Sequence, residues 1–414
     1  MDPRQFRAPA RSPRPAASPV SLSRRGLSRL GAVSALLALV GLAACAPQGH
    51  SPYYGRQAAP LFGQGMQAPQ PIPATKVAIL LPKSGPQAAL APAMMNAATL
   101  ALFDSGVRGV ELVPHDTSGS SGGASEAARA ALAEGARVMI GPLTGTETAS
   151  AASQARASGV PVLAFTNDVG QGGNGVWVFG VTPEQQVRRL VAAARTAGIG
   201  RIGLAAPDGA FGRQLSTALR NATREAGLPP PVVVTYPTGA SRSQAAGQLA
   251  AQAGPEGLGL LILGESGTQA RDMAAALGGA GLATPPMRLG GHSLWIGDAA
   301  LTTEPVLMGA WVPGPDPVSR NSFEARYQAA FGERPPRLAA TAYDATAAAL
   351  RSVHGGNPAT PAQLPVGEPL QGADGAFRLL PDGQVQRALA VYALTPGAEP
   401  HMVEPPVLPG TAGF

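Results

Sequence analysis

Between residues 76 and 395, short apolar runs alternate with longer Ala-rich stretches broken by polar residues. Lys76–Leu81, Val110–Val113, Arg137–Ile140 and Val160–Phe165 each read as a short buried strand. Helical stretches follow the first three, at Ala89–Phe103, Ser125–Glu134 and Thr146–Ala157. A second set opens at Thr182-Pro183-Glu184, a helix start with Pro at its first position. In it, strands at Arg201–Ala205, Val232–Thr235 and Leu258–Leu263 alternate with helices at Phe211–Ala226, Ser243–Ala253 and Thr268–Leu277. Short strands alternating with helices predict parallel sheets covered on both faces, an α/β fold. A helix pair at Ser319–Phe331 and Ala339–Val353 joins the two sets into two lobes. Ala376–Leu380, the turn at Asp382-Gly383 and Gln384–Leu394 predict a small C-terminal β-hairpin.

The chain ahead of this body has a different pattern. Arg24 and Arg25 precede an apolar run of 15 residues, Leu30–Ala44, against about 20 needed to span a bilayer. A positive flank, a short apolar stretch and small residues at its end are the marks of a secretory signal. The run ends Leu42-Ala43-Ala44-Cys45, and Cys45 is the sole cysteine of the chain. This resembles a bacterial lipobox, whose thiol takes the lipid and becomes the mature N-terminus. An uncleaved anchor with an incidental cysteine is the alternative. Ala46, rather than Asp, follows the cysteine, which resembles the sorting signal for the outer membrane. Ser23–Leu27 partly resembles a twin-arginine signal, and the general secretory route stays open beside it.

Composition changes the picture in two places. Residues 1–45 carry seven arginines and one acid, and the remainder has 24 basic and 24 acidic residues, so the net charge of +6 belongs to the leader. The mature body is neutral, which argues against a nucleic-acid partner. Residues 46–75 contain six Pro and four Gly. They predict a tether reaching roughly 90 Å if extended at about 3.1 Å per residue. Pro-rich residues 396–414 predict a flexible tail.

The order of segments over about residues 75–395 resembles the type I periplasmic binding proteins, the leucine/isoleucine/valine-binding family. Val77–Pro82 with Ser84-Gly85 is similar to the family's opening strand and ligand loop. Asp116-Thr117 resembles the end of its second strand, and Val138–Gly145 its Ile-Gly-Pro loop. Pro161–Asn167 is similar to the next strand, and Ala205–Gly212 to a strand of the second lobe. The resemblance implies a two-lobed fold, each lobe a parallel sheet flanked by helices. Lobe 1 then covers 76–182, completed by about 292–355, and lobe 2 covers 183–291, completed by about 356–395. Within this fold, Gly375–Arg387 resembles the penicillin-binding protein activators, outer-membrane lipoproteins that stimulate peptidoglycan synthases.

In open α/β sheets a ligand sits at the carboxyl ends of the strands. The strand-end loops carry Ser84, Thr144, Gly145, Thr146, Thr166, Asn167 and Phe211. Thr144, Gly145 and Thr146 precede a helix and suit a carboxylate, or else serve only as caps. Thr166 and Asn167 suit ligand contact or a loop turn. An amino-acid ligand also needs an acid for its ammonium group. Where the resemblance expects one, this chain reads Arg288–Ser293, with His292 in the loop. Glu265 is the possible substitute, or a helix-start carboxylate favoured by the dipole. Trp295 and Trp311 are either cleft walls or core.

The five histidines lack metal-ligand spacing, so no metal or other cofactor is expected. Gly264-Glu-Ser-Gly267-Thr268 lacks the last glycine of a nucleophile elbow, and no phosphate loop is present. These patterns disfavour an enzyme. Two functions remain. One is a lipid-anchored periplasmic receptor binding a small polar, amino-acid-like ligand between its lobes, working with an ABC permease. The other is an outer-membrane activator that contacts a peptidoglycan synthase.

Overall fold

Strand β1 (Thr75–Leu81) shows how this sequence makes two-sided sheets. Val77, Ile79 and Leu81 belong to one apolar cluster, and Ala78 and Leu80 to another on the opposite face. Alternate side chains point to opposite faces, so a run apolar at every position demands helices on both sides. The computed structural model describes residues 74–282, 285–354, 362–395 and 397–410, and it provides those helices.

The first lobe continues with α1 (Ala91–Ser105), β2 (Val110–Asp116), α2 (Ser121–Ala133), β3 (Val138–Ile140), α3 (Gly145–Ala155), β4 (Val162–Ala164) and β5 (Val176–Val178). Its five strands are all parallel, in the order β2-β1-β3-β4-β5. Helices α2 and α3 cover one face through alanines, among them Ala128, Ala131 and Ala151, all fully buried. Alanine loses no side-chain entropy on burial and lets helix and sheet backbones approach closely.

The chain then crosses to the second lobe at Phe179–Thr182. Gly180 is needed there, because a Cβ would lie 2.5 Å from the Thr166 carbonyl oxygen. Thr182 caps α4 (Pro183–Thr196), as the sequence predicts, with Pro183 in the first turn. After it come β6 (Ile202–Pro207), α5 (Ala210–Glu225), β7 (Val232–Tyr236), α6 (Arg242–Ala253) and β8 (Leu260–Leu263). These are followed by α7 (Gly267–Gly279), β9 (Arg288–Gly290), the single turn α8 (Ala299–Thr302) and β10 (Trp311–Gly314).

A second crossing leads back to lobe 1 through α9 (Pro317–Phe331) and α10 (Arg337–Val353), which pack on α1. Next is a small antiparallel sheet of β11 (Pro369–Gly372), β12 (Gly375–Leu379) and β13 (Val385–Arg387). Its Phe377, Leu379 and Val385 join the core of lobe 1. A third crossing at Ala388 sends β14 (Leu389–Thr395) and β15 (Ala398–Val407) into the second sheet. That sheet has the order β15-β14-β10-β9-β8-β6-β7, with β14 and β15 antiparallel additions to five parallel strands.

Four expectations are corrected here. The hairpin turns at Asp382-Gly383 as predicted, but its second arm stops at Arg387, and 389–394 belong to the other sheet. Among the described residues, lobe 1 is completed by 317–354 and 362–387 rather than 292–355, because β10 pairs with β9 and β14 in lobe 2. Correspondingly, lobe 2 is completed by β14 and β15 rather than by 356–395. Residues 398–407, expected within a loose tail, form an edge strand, a position that tolerates Pro400, Pro405 and Pro406. The leader, Cys45 and the tether up to residue 73 lie outside the described residues. Among the described residues, no helix is long and apolar enough to cross a membrane.

Candidate functional site

The carboxyl ends of the parallel strands in both sheets carry the loops in which the sequence places its candidates. After β1, the Ser84 hydroxyl donates to Asp116 Oδ2 at 2.8 Å. Asp116 Oδ1 accepts from the amides of Lys83, Ser84 and Ser118 at 2.8, 3.2 and 2.8 Å. Partial burial opposes ionisation of Asp116, but these donated bonds outweigh it and hold the carboxyl below its usual range. Ser84 is thereby tied to the end of β2.

After β3, Thr144 is the N-cap of α3 in a full capping box. Its hydroxyl donates to Glu147 Oε2 at 2.6 Å, and its own N–H reaches the same oxygen at 3.0 Å. The other oxygen, Oε1, accepts the Thr117 hydroxyl at 2.6 Å. Glu147 is fully buried. Sequence reasoning passed over it, although Thr-Gly-Thr-Glu is the capping-box pattern. Thr146 is exposed, with its hydroxyl 3.3 Å from that of Thr144. Gly145 opens the helix, and a Cβ there would come within 3.0 Å of Asp168 Oδ2.

After β4, Thr166 is buried and its hydroxyl accepts from the Asp168 N–H at 3.1 Å, a local turn. Asn167 is exposed. Asp168, which sequence reasoning did not single out, accepts from Gly170 N at 3.1 Å and from Gln171 Nε2 at 3.1 Å. It also accepts from Gln214 Nε2 on α5 of the other lobe, at 3.4 Å. Arg337, at the start of α10, makes a second link between the lobes. It donates to the carbonyls of Ser293 and Ile296 at 2.6 and 3.1 Å. A cavity of about 360 Å³ lies beside the Asp168 contact, lined by Val169 and by Pro183, Glu184, Arg213 and Gln214 of α4 and α5.

In the second lobe, Phe211, His292 and Glu265 come together. Phe211 is half-buried and meets the His292 ring edge-to-face, with centroids 5.2 Å apart. His292 Nε2 lies 3.1 Å from the Ser266 hydroxyl and 3.2 Å from the Glu265 carbonyl oxygen. Burial pushes the imidazole down to about 4, with the Glu265 carbonyl acting against the shift and Arg337 adding to it. It is therefore neutral at pH 7. Trp295 is fully buried and donates to the Glu265 carbonyl at 2.7 Å. Trp311 is also buried, under the Arg288 guanidinium at 4.5 Å. Both tryptophans are core residues.

The Glu265 side chain is 1% exposed and lies 2.6 Å from Arg242 Nη2. Burial raises its carboxyl above the usual range, against the pull of Tyr236 and Arg242. Arg242 stacks on the Tyr236 ring at 5.4 Å. Burial, and then the charge of Glu265, push the Tyr236 hydroxyl upward. Neither Arg242 nor Tyr236 carries a sequence signal, because the pairing depends on the start of α6 and the end of β7 meeting the loop after β8 in space. Among the described residues, no group of three or more His, Asp or Glu side chains could hold a metal ion.

No curated protein matches the chain. Solved structures match in fold. A protein from Rhodospirillum rubrum assigned to branched-chain amino acid ABC transport has a TM-score of 0.69 at 19% identity, covering 80% of this chain and 100% of its own. A branched-chain amino acid ABC transporter periplasmic ligand-binding protein from Burkholderia xenovorans gives 0.65 at 18%, covering 80% and 96%. A Rhodopseudomonas palustris ABC-transporter solute-binding protein in complex with benzoate gives 0.55 at 19%, covering 82% and 99%. At these identities the likeness establishes the two-lobed fold. The family model for periplasmic binding protein matches residues 74–398, well over half of the chain, and the chain belongs to that family.

Proposed function

We propose that this chain is a periplasmic solute receptor whose two lobes close on a small polar ligand at the facing strand ends and deliver it to an ABC permease. The observation that carries this reading is the contact at the strand ends between the lobes, where the loop after β4 meets α5 of the other lobe through Asp168 and Gln214. An open α/β sheet binds ligands at that end, and three chain crossings provide the hinge for closure. Acylation of Cys45 would hold the receptor to a membrane, and Ala46 points to the outer one. A thermal-shift screen of amino acids, peptides, carboxylates, amides and polyols tests the receptor. Ligand at 100 times its dissociation constant adds about 2.7 kcal/mol; silence across the whole screen removes the reading. Cys45→Ser moves the protein from the membrane to the soluble fraction if the anchor is real.

A second reading has its own support. Ser84, Thr144 and Glu265 are engaged by Asp116, Glu147 and Arg242, which leaves fewer strand-end groups for a ligand. A binding-protein fold that keeps its shape and loses its ligand fits a penicillin-binding protein activator that contacts a peptidoglycan synthase. Capture of a bifunctional synthase at micromolar concentration, with faster glycan polymerisation or cross-linking, supports it. Absence of binding at that concentration removes it.

A further inference from the structure

A free α-amino acid presents an anion and a cation on one carbon. A groove that selects one offers unopposed N–H donors to the first and an unopposed acid to the second. Charge at these strand ends is arranged otherwise. On lobe 1, the first turn of α3 already faces two carboxylates of the chain itself. Glu147 is buried in its capping box, and Asp168 lies so close to Gly145 that a Cβ would meet Oδ2 at 3.0 Å. The favourable end of the helix dipole is thus matched from within the protein. A ligand carboxylate arriving there meets like charge.

On lobe 2, the acid suited to an ammonium is Glu265, and Arg242 already holds it at 2.6 Å. An arriving ammonium would sit beside a second cation. Hydrogen-bonding capacity nonetheless remains. Arg242 Nε is buried without a hydrogen-bond partner, beside a Glu265 carboxylate already engaged by Arg242 Nη2 and Tyr236. A buried unmet donor beside a neutralised charge pair suits an acceptor that carries no net charge.

Resting on the receptor reading above, we infer that the groove selects uncharged polar ligands of amide or polyol type and rejects free amino acids. Asp168 opposes the carboxylate and Arg242 opposes the ammonium. The test uses the detergent-solubilised full-length protein, calorimetry and five probes. These are leucine, 4-methylpentanoate (the carboxylate alone), isoamylamine (the ammonium alone), N-acetyl-leucinamide (neither charge) and mannitol. At least one uncharged probe binds the wild type, and leucine binds at least 10-fold more weakly. Asp168→Asn, a half-exposed loop change that leaves the core intact, tightens 4-methylpentanoate at least 10-fold, and Arg242→Gln does the same for isoamylamine. Leucine binding the wild type more tightly than N-acetyl-leucinamide overturns the inference and leaves the receptor reading standing. So does an Asp168→Asn protein that gains nothing for the carboxylate. No heat from any probe with any of the three proteins overturns the inference, while the receptor reading falls only with silence across the whole thermal-shift screen.

Discussion

His292 carries the clearest pH signature of a single residue. Its folded value of about 4 lies below the ordinary 6.5 because burial disfavours the imidazolium. The unfolded chain therefore binds the proton more readily. The contribution of His292 to stability is complete above pH 6.5 and is lost as pH falls toward 4. A shift of that size is worth about 3 kcal/mol. His292→Gln, neutral at every pH, removes this slope, so urea-unfolding stabilities of variant and wild type converge by about 3 kcal/mol between pH 7 and pH 4. Parallel pH curves for the two proteins would show that His292 stays neutral in the unfolded chain over that range or is solvated when folded. Single residues were legible in the sequence where chemistry is local. Thr182-Pro183 marked a helix start, and Thr144-x-x-Glu147 held the capping box in plain view. Arg242 against Glu265 and Asp168 against Gln214 were not legible, because each needs a loop and a helix from distant parts of the chain brought together by the fold.

At the scale of elements, the parallel strands were readable because runs such as Leu260–Leu263 are buried at every position and only a covered sheet buries both faces. Strand β15 was missed for a physical reason. Pro400, Pro405 and Pro406 lack N–H donors, and its residues are largely exposed, so neither apolar alternation nor β-propensity marks it. It is a strand because β14 offers it an open edge. Arg189 ties it down, donating to the carbonyls of Leu389 and Pro405 at 2.7 and 2.9 Å. Ending the chain at Thr395 removes this ladder and bares β14. With net contributions of about 1 kcal/mol per hydrogen bond, the truncated protein loses on the order of 3 kcal/mol, read as a lower urea midpoint. An unchanged midpoint would mean that residues 398–407 do not hold the sheet edge.

Across the whole molecule, the lobes are joined by three crossings that are stitched to one another. The Asp316 N–H donates to the Asp374 carbonyl at 2.9 Å, and the Ala388 N–H to the Ala376 carbonyl at 2.8 Å. Arg320 pairs with Asp374 at 2.8 Å. At the centre, Arg387 sits one residue before the third crossing. One arm of its guanidinium pairs with Asp344 on α10, and the other donates to the Phe179 carbonyl at the first crossing, at 2.8 Å. Asp344 is fully buried and also accepts the Ala373 N–H at 2.6 Å. Burial raises its carboxyl to about 6, against the pull of Arg387 and with a further push from Asp374. The pair is therefore formed at neutral pH but is not strongly stabilising by itself, as expected for charges taken fully out of water. Removing one partner is a different matter, since it strands a charge in the core. Arg387→Met at pH 7.5 should cost about 3–5 kcal/mol in urea unfolding. Adding Asp344→Leu to the same protein should restore much of that loss, because the stranded carboxylate is gone. The cycle separates two roles for Arg387. Recovery in the double variant means that the penalty came from the buried charge. A double variant as unstable as the single one means that the bond to Phe179 is what joins the crossings, and that the hinge depends on Arg387 whether or not Asp344 is charged.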